Sequence, residues 1–314
     1  MILLFLTGCI EFSVGSVNPD DAPERFLVED RFRQEALPAV DLLFVVDNTS
    51  SMRREQDRLA DSFGALVAAL GVAGVRWQAG VVTTDMSTDE AGWLQGNPWL
   101  VTGSQSHADD AFAEAVAVGT DGADPEAGFA AAIEALDLSD IGGPNTGFRR
   151  SDAALHVVFV SDSDDQSDEL LGDDPVGEMI SFLAAEEAAS GLPARASAIV
   201  GDAPGGCASP LGQASEGHRY HQLAAATGGE TASICASDFA AVVAKLGEQT
   251  IEYQDTYELR AVPVEESVRV SVDGARRESG WSYDDTLNAV VFDADAIPRP
   301  LASIVASYLV EVAP

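Results

Sequence analysis

Apolar residues take two patterns that alternate along the middle of this chain. Short continuous runs at 40–46, 155–161 and 194–200 read as strands buried on both faces, and 75–83 reads as another. Between them the apolar positions recur at helical spacing. Leu59, Phe63, Leu66, Val67 and Leu70 share one face, and further helices are predicted at 107–117, 125–137, 175–189, 217–226 and 237–250. The second of these is expected to open on Pro125-Glu126, a favoured helix start. Strands alternating with helices in this way predict an α/β fold, a Rossmann-like doubly wound and mostly parallel sheet covered by helices on both faces.

After residue 254 the period drops to two. Val268, Val270 and Val272 alternate before Asp273-Gly274, a hairpin signal, and Ile304, Ala306, Tyr308 and Val310 alternate near the end. A small C-terminal antiparallel β unit is therefore expected over 254–314, following a main domain over 39–253. Residues 10–38 mix Pro, Asp, Glu and Arg without an apolar period and read as a linker or tether.

In open α/β sheets, ligands bind beyond the carboxyl ends of the strands. Two of the apolar runs stop there on an acid: the first at Asp47, the second at Asp162 after Ser161. Asp47, Thr49 and Ser51 sit at alternate positions, so a tight loop can turn one carboxylate and two hydroxyls toward one point. Oxygen donors without sulfur or imidazole suit a hard divalent cation and argue against zinc.

The run 47–51 resembles the Asp-x-Ser-x-Ser element of the metal-ion-dependent adhesion site in von Willebrand factor type A domains, with Thr49 keeping the first hydroxyl. Val160-Ser161-Asp162 is similar to the family's later strand ending in an aspartate. The resemblance covers about residues 39 to 250 and implies Asp47, Thr49, Ser51 and Asp162 as ligands of Mg2+ or Ca2+. The family's second-loop threonine falls on Ala123 within 122–128, so Thr120 or Asp124, or water, is expected to fill that position. A protein partner presenting an Asp or Glu carboxylate is implied for the open coordination site. Val81–Met86 after a strand, the Cys207 and Cys235 pair and the aromatic β tail together resemble deltaproteobacterial lipoproteins of this family.

Seventeen basic against fifty-two acidic residues give a formal charge of −35. That excludes nucleic acid as an electrostatic partner. Residues 1–9 form an apolar run ending Leu6-Thr7-Gly8-Cys9, similar to a bacterial lipobox. The resemblance implies lipidation of Cys9 and a place in the cell envelope, on the outer membrane or periplasmic face. The segment lacks a basic start, a defect that a start codon assigned too far downstream would explain. In an exported protein, Cys207 and Cys235 suggest a disulfide, two buried thiols being the alternative.

The expected function is envelope-anchored adhesion or protein binding through the cation. One alternative is a structural envelope lipoprotein whose fold is only a scaffold. A phosphatase with a nucleophilic aspartate needs an acid two residues on, where Thr49 stands. His218 and His221 lack the glutamate of a His-Glu-x-x-His zinc motif. No Gly-x-Ser-x-Gly elbow or phosphate-binding loop is present, so the chain is not expected to be an enzyme.

Overall fold

The computed structural model describes residues 24–34, 39–250, 253–293, 296–299 and 301–312. Cys9, the expected lipidation site, lies outside the described residues. The chain divides into two units, one over Glu35–Tyr253 and one combining the chain up to Gln34 with Gln254 onward.

The second unit begins with a correction. Within the predicted tether, Glu24–Arg33 forms a strand, β1. Its period of two escaped notice because the inward positions are Val28, Asp30 and Phe32, and the central one is charged. Asp30 is buried all the same: it accepts the Tyr308 hydroxyl at 2.7 Å and pairs with Arg260 at 2.7 Å.

The larger unit runs β2 (Ala39–Val46), α1 (Arg53–Ala73), β3 (Arg76–Thr83), β4 (Val101–Thr102), α2 (Ala108–Val116), α3 (Gly128–Asp137) and β5 (Ala154–Val160). It continues through α4 (Asp168–Leu171), α5 (Pro175–Ser190), β6 (Ala194–Val200), β7 (Cys207–Ser209), β8 (Gly212–Ala214), α6 (His218–Thr227), β9 (Thr231–Ser233) and α7 (Phe239–Thr250). The smaller unit adds β10 (Thr256–Glu258), β11 (Arg269–Val272), β12 (Ala275–Arg277), β13 (Trp281–Asp284), β14 (Ala289–Phe292) and β15 (Ser303–Val312).

In the larger unit six strands form one sheet in the order β4-β3-β2-β5-β6-β9, parallel except where β4 joins β3. β2 is buried along its whole length, and its alternate residues feed two cores. Val40, Leu42, Phe44 and Val46 pack with Phe63, Leu66, Phe112 and Val243 from α1, α2 and α7. Leu43 and Val45 pack on the other face with Phe129, Met179, Leu183 and Tyr220 from α3, α5 and α6. This is the doubly wound arrangement, and it places a topological switch point at β2. The chain leaves β2 for β3 on one side and reaches β5 on the other, opening a crevice beyond their carboxyl ends.

Helix α3 starts at Gly128, three residues after the predicted opening at Pro125. Its first amides are capped from a distant loop. The Asp165 carboxylate accepts from Phe129 N–H at 2.9 Å and the Ser167 hydroxyl from Ala130 N–H at 3.1 Å. Residues 124–127 are thereby left to the rim, where Ala127 N–H donates to the Thr84 carbonyl at 3.0 Å.

Cys207 and Cys235 form a disulfide, Sγ–Sγ 2.06 Å, across 28 positions. It fastens the β7–β8 hairpin to the segment after β9. Replacing both cysteines by serine is expected to lower stability by about 3–4 kcal/mol, the chain-entropy value for a loop of this size, read as a lower urea midpoint. An unchanged midpoint would reject it.

In the smaller unit, β1, β15, β11 and β12 form one antiparallel sheet and β10, β14 and β13 another, around Tyr257, Val270, Ile304, Ala306 and Tyr308. The expected hairpin joins β11 to β12, with Asp273 and Gly274 both at positive φ, 50° and 79°. Among the described residues no helix is long and apolar enough to cross a membrane.

Candidate functional site

The pairing of β2 with β5 builds the site. Val46 lies opposite Val160, so the next residues, Asp47 and Ser161, leave the sheet side by side. Asp47 N–H still donates to the Val160 carbonyl at 3.0 Å. The Asp47 carboxylate is fully buried and held at both oxygens. Oδ1 accepts from Thr49 N–H at 2.8 Å and from Thr49 Oγ1 at 2.7 Å, and Oδ2 accepts from Ser161 Oγ at 2.7 Å.

Thr49 Oγ1 lies 3.3 Å from Ser51 Oγ, and Ser51 and Asp162 line the same cleft. The four expected ligand residues are thus gathered at one rim. Burial pushes the Asp162 carboxyl up, the nearby Ser51 hydroxyl opposes this, and the charge of Asp47 pushes it further up.

A second loop is fastened against the first. Gly122 N–H donates to the Asn48 carbonyl at 2.9 Å, and a Cβ at Gly122 would sit 2.2 Å from Asn48 Oδ1, so a side chain there would have to displace the Asn48 amide. From α1, Gln56 Nε2 bridges the loops by donating to the carbonyls of Asp47 at 3.1 Å and Gly119 at 2.8 Å. A third loop contributes Asp85, whose carboxylate accepts from Ser87 and, at 3.2 Å, from Ala123 N–H.

The two expected second-loop donors have different surroundings. Thr120 Oγ1 accepts from Arg53 Nη2 at 3.1 Å, so a guanidinium occupies it. Asp124 instead lies beside Glu126, within an acidic group that includes Asp47.

Glu126 is a residue that sequence reasoning missed. It is 5% exposed and its Oε2 accepts from Gln166 Nε2. Burial, reinforced by the charges of Asp47 and Asp124, pushes its carboxyl up to about 7. The folded state therefore holds this proton more tightly than the unfolded chain. The resulting stability is complete below the ordinary carboxylate range and is lost as pH rises through about 7. In chelator, the urea midpoint is expected to fall between about pH 5 and pH 8, and Glu126→Gln should flatten that slope. An unaltered slope in the variant would reject this role.

The donor set is made of oxygen only, two carboxylates and two hydroxyls. Among the described residues no three His, Cys, Asp or Glu side chains converge as a metal-holding group, and neither Asp47 nor Asp162 has an Arg or Lys partner within salt-bridge distance. Two adjoining carboxylates that repel one another, with hydroxyls interleaved and no cationic side chain within salt-bridge distance, fit a hard divalent ion. His218 and His221 do not join them. His221 bonds the Thr231 hydroxyl and the Gly201 carbonyl, and His218 contacts Gln222 and Glu216.

No family model and no curated protein sequence matches the chain. Among solved structures it is similar to proximal thread matrix protein 1 from the mussel byssus, with 16% identity and a TM-score of 0.42, covering 69% of this chain and 49% of that one. It is also similar to the pilus adhesin SpaC from Lactobacillus rhamnosus GG, with 11% identity and a TM-score of 0.42, covering 92% of this chain and 42% of the adhesin. The chain thus spans less than half the length of each.

Proposed function

We propose that this chain is an envelope-displayed binding protein of the von Willebrand factor type A kind. In this reading, a magnesium or calcium ion held at the β2–β5 rim engages a carboxylate of a protein partner. The observation that carries the proposal is the fully buried Asp47 carboxylate, fixed by Thr49 and Ser161, close enough to Asp162 for their charges to repel, and with no cationic side chain within salt-bridge distance. Asp47, Thr49, Ser51 and Asp162 would hold the ion, directly or through water, with Asp124 the better placed second-loop donor. When bound, the ion supplies a local positive charge that draws an Asp or Glu side chain despite the formal charge of −35.

The protein residues have separable tasks. Thr49 and Ser161 fix the direction of the Asp47 carboxylate, and Gln56 locks the two loops that flank it. Binding rather than catalysis is the reading, because Thr49 returns its hydroxyl hydrogen bond to Asp47 and offers no general acid. Display through a lipidated Cys9 belongs to the same proposal, and mass spectrometry of the membrane-fraction protein for an acylated Cys9 tests that part.

The central test is capture of envelope proteins by the immobilised chain in magnesium, in calcium and in chelator. Capture that needs the cation and is competed by an acidic peptide is expected. Capture that persists unchanged in chelator would leave only a scaffold.

A further inference from the structure

A cleft of about 540 Å³ opens beside the rim, where Ser51 and the first α1 residues Arg53, Arg54 and Glu55 face Asp162 and the Leu211–Gln213 stretch of the β7–β8 hairpin. Glu55 is 5% exposed, and its Oε2 is buried with no hydrogen-bond partner among the described residues. A buried carboxylate oxygen without a donor is costly, and native structures seldom keep one unless something outside the chain supplies the donor.

The neighbouring arginines do not supply it. Arg54 Nη1 donates to the carbonyls of Pro210 at 3.1 Å and Leu211 at 2.8 Å, and Arg53 donates to Thr120. Both guanidiniums are thus tied to loops that they hold in place. Asp57 and Asp162 add two more carboxylates to the same walls. Burial pushes the Glu55 carboxyl up and the charge of Asp162 adds to it, against the pull of Arg58 and Arg54. Glycine at 212 keeps this space open, since a Cβ there would lie 2.5 Å from Glu55 Oε1.

We propose that this cleft receives a cationic side chain of the protein partner, a lysine or an arginine, whose N–H donates to the Glu55 carboxylate. The partner would then present a basic group close to the carboxylate that reaches the ion. The inference rests on the adhesive reading for the partner, and the cleft shares Ser51 and Asp162 with the ion site while Glu55 belongs to the cleft alone. The strongly acidic surface favours the approach of such a group.

The test follows backbone amide signals of the full chain by NMR, in chelator, during titration with the Nα-acetyl amides of lysine, arginine and norleucine. Saturable shifts at 51–57 and 211–213 are expected with a basic compound and not with norleucine. Glu55→Gln should weaken that binding by at least about tenfold, the loss of one charge-assisted hydrogen bond. The lysine and arginine arms decide which head group fits. Absence of saturable shifts with both basic compounds, equal shifts with norleucine, or undiminished binding by Glu55→Gln would each overturn the proposal. Should that variant fail to fold, the wild-type comparison of basic with neutral compounds still decides. Chelator separates the two readings: cleft binding without any ion affinity sinks only the adhesive site, and ion affinity without cleft binding sinks only this inference.

Discussion

Asp47→Ala is expected to eliminate the heat of magnesium or calcium binding in calorimetry while leaving the far-ultraviolet circular dichroism unchanged. Asp47 is the only expected ligand at the switch point that is fully buried, and both of its oxygens are already directed by neighbours. Its removal takes away the central charge and releases the Thr49 and Ser161 hydroxyls from their shared acceptor. The β2 strand before it is held by parallel pairing on both sides and by two cores, so the sheet survives. A stability loss of about 1–3 kcal/mol is expected from the donors left without an acceptor. Ion binding retained by the variant would remove the basis of the functional reading.

The second large effect lies at the opposite end of the same strand. Asp41 is completely buried, accepts from Arg150 N–H and Nε, each at 2.7 Å, and lies 3.3 Å from Arg149 Nη1. Arg149 continues to Glu186 on α5 at 2.7 Å, so the network ties the segment before β5 to the sheet and to a covering helix. Burial pushes the Asp41 carboxyl up although both arginines pull it down, which marks a pair whose attraction does not fully offset its desolvation. Such a pair adds little net stability when intact and costs much when half is removed. Asp41→Ala leaves the largely buried Arg150 guanidinium without a carboxylate and Arg149 with Glu186 alone. It should cost about 3–5 kcal/mol in urea unfolding, with an unchanged denaturant slope. A loss below about 1 kcal/mol would show that Arg149 and Arg150 find other acceptors.

Much of the larger unit is legible in the sequence because its central strands are continuous apolar runs between amphipathic helices. The same runs advertise Asp47 and Asp162, since an acid directly after such a strand has few places to go except the sheet's rim. Ser161 was visible in the motif, but its task as the second holder of Asp47 follows from register. Only the pairing of Val46 with Val160 puts the residues after them side by side.

Glu126 was hidden for a different reason. Its surroundings come from Asp47, Asp124 and Gln166, which the fold assembles from three separate stretches. The one local hint is an acid immediately before the apolar run 127–132. Asp41 interrupts an otherwise apolar run, and a charge at such a position needs a buried partner that the run itself does not name. The short strands β4 and β7–β9 hold two or three residues each, too few for a period to show.

The pairing of β1 with β15 bears on how the chain is made. Glu24 meets Val312 and Arg33 meets Ser303, so the earliest described strand leaves the ribosome first and waits for the last one to arrive. Throughout that interval its backbone hydrogen-bonding groups are open to other chains, with Phe26 and Leu27 beside them, two side chains that stay at least half exposed even after folding. The charges of Glu24, Arg25, Glu29, Asp30, Arg31 and Arg33 are then the nascent strand's own protection against premature association.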